Sequence, residues 1–228
     1  MNPHHTSLAV VAGKGKGDAF ALSSGLFHGS GFCVAPNLFL TAAHVHREAA
    51  AAGAVALARL GPGDTHANLV TDSEVFDDID LALLQCPDLE AEILPFAFEP
   101  LFFLTDVAAF GYPFGLELDP PTSLLRALKG YVVTRRTLTH LKARPPGYEV
   151  SFVPPVGLSG APLIRFGPEG GAVTGMVLTH HTATYRDRTM DLGLVLDMEE
   201  ILTIESRIIG GSIAERLFRR PKITRPKR

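Results

Sequence analysis

Short apolar runs recur along the chain at residues 8–11, 31–35, 38–41, 55–60, 81–84, 107–110, 131–134, 150–153, 163–166, 173–178 and 192–196. Gly, Pro, Asn or Asp punctuates most of the intervals. Runs of this length between turn residues predict β-strands, and their steady recurrence predicts an all-β barrel or sandwich. Two segments have a helical pattern instead. Residues 43–52 are alanine-rich and stop at Gly53, while 197–209 opens on Asp197 as an N-cap, has acids in its first turn and runs into Gly210 and Gly211. A helix closing an otherwise β chain suits a cap packed on the outside of a barrel. The stretch 90–100, with Pro95 and Pro100, reads as a connector between a lobe of about 1–95 and a second of about 101–210. The folded unit is expected to span 1–215.

Composition narrows the picture. The 22 Gly and 17 Pro in 228 residues favour many turns over long helices. No apolar run approaches the length of a membrane span, so no membrane partner is expected. The opening MNPHHTSLAVVAGKGKG has no basic segment followed by a continuous apolar one, so a secretory leader is not expected and a cytoplasmic location is. The net charge of −3 hides an asymmetry. Seven Lys or Arg and no acid lie from Arg216 onward, leaving 14 bases against 24 acids before it. Residues 216–228 thus form a basic tail, read as a solvated end; seven charges alone offer nucleic acid only a nonspecific attraction, so it is not an expected partner. Cys33 and Cys86 are too few for a disulfide framework and lie in apolar runs, as buried reduced thiols would.

Three motifs carry candidate chemistry: GSGFCVAPNLFLTAAHV ending near His44, DIDLALL with Asp80 before an apolar strand, and VGLSGAPLI around Ser159. Acyl transfer by a serine needs a base for the hydroxyl proton, an acid to fix the base's tautomer, and amide donors for the oxyanion. His44, Asp80 and Ser159 supply the base, the acid and the serine itself in the order His, Asp, Ser, which separates them from hydrolases ordered Ser, acid, His or Asp, His, Ser. Alone, each would read as ordinary structure: a turn serine, a structural histidine, a solvated strand end. Their ordered coincidence favours the catalytic reading. Asp77 and Asp78 compete for the acid role; Asp80 is preferred because it directly precedes the apolar strand. His44-Val-His46-Arg-Glu48 lacks the ligand spacing of a zinc run, and the pairs His4-His5 and His180-His181 lack chelating spacing, so neither metal nor cofactor is expected.

With these motifs the chain resembles the trypsin-like serine peptidases, and most of all their compact bacterial Deg/HtrA-type branch, over roughly residues 25–205. Thr41-Ala-Ala-His44, Asp80-Leu-Ala-Leu-Leu and Gly157-Leu-Ser159-Gly-Ala-Pro162 match that family's three signatures. Gly111-Tyr-Pro-Phe-Gly115 looks like the turn opening its second barrel, and Gly175-Met-Val-Leu like its cleft strand. The resemblance implies two six-stranded antiparallel Greek-key barrels with a C-terminal helix, and a serine endopeptidase working through an acyl-enzyme. It also implies an oxyanion hole made by the N–H groups of Gly157 and Ser159. The partners implied are a protein or peptide substrate and, where the enzyme is latent, an activating protein.

Departures from the family matter as much. Leu158 stands where secreted relatives carry the aspartate that pairs with a freed N-terminus, so activation by N-terminal clipping is not expected and the turn must be held in another way. Val153 and Val177 occupy positions where relatives place charge-selecting residues, which argues for an uncharged P1 side chain. Leu178, Thr179 and His180 fall in the pocket-wall stretch. No PDZ domain is expected after the peptidase segment. The rival expectation is a protease-fold binding module, latent or partner-activated.

Overall fold

The computed structural model describes residues 6–13, 27–61, 64–113, 125–168 and 170–218. Two antiparallel sheets dominate it. The first has seven strands: β1 (Ser7–Gly13), β2 (Phe27–Ala35), β3 (Leu38–Ala42), β4 (Ala54–Gly61), β5 (Asp64–Leu69), β6 (Asp72–Phe76) and β7 (Leu81–Gln85), ordered β5-β4-β1-β2-β3-β7-β6. The second is a closed six-stranded barrel of β8 (Asp106–Gly111), β9 (Arg126–Thr137), β10 (Pro146–Val150), β11 (Pro162–Gly167), β12 (Gly170–Tyr185) and β13 (Arg188–Asp197), ordered β10-β13-β12-β11-β8-β9. Helix α1 (Ala43–Ala52) follows β3 directly and ends at Gly53, as the alanine run predicts.

The strand alternation shows why the barrel closes. Val107 and Ala109, Val132, Tyr148 and Val150, Leu163, Val177 and Val195 all fill one buried cluster, with the alternate residues facing outward. In β1 every residue is buried. Leu8, Val10 and Ala12 join the core of the first sheet, while Ala9 and Val11 pack with Tyr112 from the end of β8. A strand buried on both faces needs a continuous apolar run, which is what residues 8–11 provide. The first sheet's core continues into Ile164, Val173, Met176 and Leu196 of the barrel, so one apolar body joins the two halves. Residues 86–105 connect the sheets without a strand of their own, and the Ala97 N–H and Pro95 carbonyl tie this stretch to Val173 (2.9 and 2.8 Å).

The structure corrects three expectations. The first sheet has seven strands rather than six, because β5 and β6 are its edges. Their sequences, DTHANL and DSEVF, are polar, and an edge strand does not need an apolar run. The run at 150–153 is not a strand; β10 spans Pro146–Val150, and Pro154 and Pro155 follow closely. The helix expected over 197–209 is only α2 (Met198–Leu202), capped as predicted by the Asp197 carboxylate accepting from the Glu199 N–H (3.2 Å). After Ile204 the chain pairs as β14 (Glu205–Ser206) with β15 (Gly211–Ser212), and a last helix, α3 (Ile213–Phe218), follows. Tertiary tethers override the helical pattern: Ser206 donates to Glu74 (2.7 Å), and Arg207 grips Asp72 through two bonds of 2.8 Å. Among the described residues no helix is long and apolar enough to cross a membrane. Of the tail read over 216–228, residues 216–218 belong to helix α3 instead, while those from 219 onward, like His4-His5, Phe114 and Gly115, lie outside the described residues.

Candidate active site

His44 is the second residue of α1, and its position is fixed by how that helix starts. Ala42, the N-cap, has no side chain able to cap. The orphan N–H groups of the first turn bond to Asp80 instead: Ala43 N–H donates to its carbonyl (3.2 Å) and His44 N–H to its carboxylate Oδ1 (2.9 Å). The other carboxylate oxygen, Oδ2, accepts from His44 Nδ1 at 2.8 Å. One residue thus caps the helix and holds the imidazole, with both of its oxygens committed. With Nδ1 donating, Nε2 carries the lone pair. Asp80 closes a 3-10 turn, Asp77–Ile79, in the left-handed conformation at φ +57°, a region Asp tolerates better than most residues. Asp77 pairs with Arg47, and Asp78 accepts from Lys142 (2.9 Å) at the exposed surface; neither bonds to His44.

Ser159 lies in the turn before β11. Leu158 N–H donates to Pro155 O and Ala161 N–H to Leu158 O (both 3.0 Å), Gly160 N–H donates to Val177 O (2.8 Å), and Ser30 N–H holds the Ser159 carbonyl (2.9 Å). Gly157 and Gly160 take φ +92° and +84°, conformations that cost a residue with a side chain. Leu158 is fully buried in the barrel core, so apolar packing occupies the position where a zymogen relative would need a carboxylate. Among the described residues, neither the Gly157 nor the Ser159 N–H donates to another group. The Ser159 hydroxyl donates to the Leu178 carbonyl at 2.6 Å, rather than to His44.

The expected pocket residues separate. Val177 is fully buried inside the barrel, and Leu178 is buried with its carbonyl on Ser159. Val153 is 42% exposed at the surface. Thr179 and His180 line a cavity of about 260 Å³ together with Arg136, Leu138, His140 and His181. Behind it the nearly buried Glu149 accepts from His181 Nε2 (2.7 Å) and pairs with Arg136. Burial lowers the His140 imidazole from its ordinary range, against an opposing pull from Asp80. Arg136, His140 and Glu149 were not apparent from sequence, because contacts between residues 13 and 32 positions apart leave no local pattern. The thiols of Cys33 and Cys86 are buried and pushed up to about 12 by that burial, which leaves them far from nucleophilic.

A profile of the trypsin-like peptidase domain matches residues 29–176, from within β2 to within β12 and so across His44, Asp80 and Ser159. The chain belongs to the trypsin-like peptidase family. Solved structures agree on the fold of this trypsin-like peptidase. The active form of the Rv3671c protease of M. tuberculosis is 23% identical, with 87% of this chain and 78% of that one covered and a TM-score of 0.61. Its inactive form is likewise 23% identical, with coverage of 87% and 86% and a TM-score of 0.60. The inactive form of a serine-to-alanine mutant of Rv3671c from the same organism is 22% identical, with coverage of 87% and 84% and a TM-score of 0.60. A search of curated protein sequences finds no match. Membership in a peptidase family implies protein substrates.

Proposed function

We propose that this trypsin-like peptidase is a serine endopeptidase of the Deg/HtrA type, acting through an acyl-enzyme with an uncharged P1 residue. The observation that carries the reading is the His44–Asp80 pair at 2.8 Å beside a serine turn with two unengaged N–H groups. Ser159 Oγ leaves the Leu178 carbonyl by rotation about χ1 and attacks the scissile carbonyl carbon, while its proton passes to His44 Nε2. Asp80 keeps the imidazole in the accepting tautomer and stabilises the imidazolium. The carbonyl oxygen becomes an oxyanion held by the N–H groups of Gly157 and Ser159. Collapse breaks the C–N bond, and the leaving amine takes the proton from Nε2. Water, deprotonated by the same nitrogen, then releases the acid and restores the hydroxyl. Strand β12 supports an extended peptide as substrate: beyond Val177 it pairs on one side only, with β13, among the described residues.

A second reading, a latent domain awaiting a partner, draws on the Ser159–Leu178 hydrogen bond, in which the hydroxyl donates to a carbonyl rather than to its base. A fluorophosphonate probe separates the two. Labelling of the isolated chain, abolished in Ser159→Ala, supports the peptidase. Labelling only after a partner or peptide is added supports latency, and no labelling under any condition refutes catalysis.

A further inference from the structure

We propose that Ser30 is a positioning residue for the oxyanion turn, taking over the job that an ion pair at Leu158 would do in a clipped relative; this rests on the peptidase reading above. Ser30 lies in β2, belongs to the first sheet and is fully buried. Its hydroxyl accepts from the Tyr112 N–H at 3.0 Å and donates to the Gly157 carbonyl at 2.8 Å. The direction is forced. A backbone N–H can only donate and a carbonyl can only accept, so the single hydroxyl proton has one destination.

Ser30 also grips the turn through its backbone. Its N–H holds the Ser159 carbonyl (2.9 Å), and its own carbonyl accepts from Thr41 Oγ1 (2.8 Å), three residues before His44. One strand residue therefore touches the turn at both ends of the Gly157–Ser159 step and, through Thr41, the strand leading to the base. The neighbouring glycines are cut to fit it. A Cβ on Gly111 would lie 2.5 Å from Ser30 Oγ, and one on Gly160 would overlap the Ser30 carbonyl. Gly157 has no side chain to limit rotation and a φ of +92°. Anchoring its carbonyl on the buried hydroxyl fixes the peptide plane that follows it, which the Leu158 N–H also ties to the Pro155 carbonyl, so the preceding plane, which carries the Gly157 N–H, can turn only about the φ and ψ of Gly157. Tyr112 follows the end of β8 and its hydroxyl reaches the Ser7 carbonyl (3.4 Å), so the clamp is braced from both sheets.

Ser30→Ala, with Ser30→Cys as a variant of closer shape and weaker hydrogen bonding, tests this. Rates are taken per folded molecule, with the folded fraction read from thermal melting. The expected result is a fall in kcat of about 10- to 100-fold with KM within twofold, below the loss of a whole oxyanion donor. Affinity for a peptidyl boronic acid, whose adduct places an oxygen in the hole, should fall by the same factor as kcat/KM. A merely structural serine would lower the folded fraction and leave kcat per folded molecule unchanged. A kcat loss under about fivefold, or one carried by KM, overturns the proposal, and Ser30→Cys supplies the measurement if Ser30→Ala does not fold. A wild-type chain that neither labels nor cleaves overturns the peptidase reading itself, a result that involves no Ser30 variant and so stays distinguishable.

Discussion

The substitution Asp80→Asn changes one atom and should silence the enzyme while sparing the fold. The His44 backbone N–H donates to Oδ1 at 2.9 Å and can do nothing else, so the amide oxygen of the new side chain must stay on that side. Its NH2 then faces Nδ1, where a carboxylate oxygen sat at 2.8 Å. Two donors cannot meet there, so Nδ1 becomes the acceptor and the ring proton moves to Nε2. That nitrogen can no longer take the Ser159 proton. In a worked serine-protease triad the same wrong tautomer costs about 10⁴ in kcat, or about 5–6 kcal/mol of barrier. Stability should hardly move. Asparagine caps helices as well as aspartate does and tolerates the left-handed conformation at φ +57°. What is lost is a charge at a helix N-terminus, worth about 0.3–1 kcal/mol, which in a chain of this size lowers Tm by a few degrees at most. The assay pairs kcat/KM on a peptide substrate with a thermal melt. Activity above about one-hundredth of wild type would refute the tautomer argument, and a collapse of Tm would show that Asp80 matters chiefly as a cap.

Other outcomes follow from the same geometry. Ser159→Ala should lose at least about a thousandfold in turnover and all probe labelling, with melting unchanged within a few degrees. Gly160→Ala forces a side chain into φ +84° and sets its Cβ 2.5 Å from Thr41 Oγ1, so it should lose more than about 2 kcal/mol in chemical denaturation together with activity. Cys33 and Cys86, held protonated up to about pH 12, should resist iodoacetamide at pH 8 in the native chain and react once it is unfolded. The unfolded thiols ionise above about pH 8.5 while the folded ones do not, so their contribution leaves stability untouched below that pH and erodes it towards pH 12. A denaturation series that grew more stable over that alkaline range would contradict the sign.

The motifs were legible because their chemistry is local. Thr41-Ala-Ala-His44 places a histidine at a strand-to-helix junction, and Gly157-Leu-Ser159-Gly160 needs two glycines at positive φ, so both announce their backbone in a few letters. Strands with an inward face, such as Val107 to Phe110, were equally plain. The polar edges β5 and β6 were not, since strand identity there comes from a neighbour's hydrogen bonds rather than from apolar alternation. The helical reading of 197–209 failed because Ser206 and Arg207 are drawn to β6, more than 130 positions away in sequence. Ser30 lay in full view within Gly29-Ser-Gly31. Its meaning depends on Tyr112 and Gly157, which sequence spacing does not connect to it.

The half-paired strand β12 has a consequence for turnover. In the proposed mode, an extended substrate segment would lie along residues 179–184 and supply the acyl side of the scissile bond. The amine side gains nothing from that edge. After the bond breaks, the two products therefore leave with different ease. The piece bearing the new N-terminus departs at once. The acyl piece stays esterified to Ser159 until water releases it, and in the proposed binding mode its ladder of backbone hydrogen bonds would then have to peel off before another chain could bind. In that binding mode, accumulated fragments that end at the cut would act as the brake on turnover, and fragments that begin at it would not.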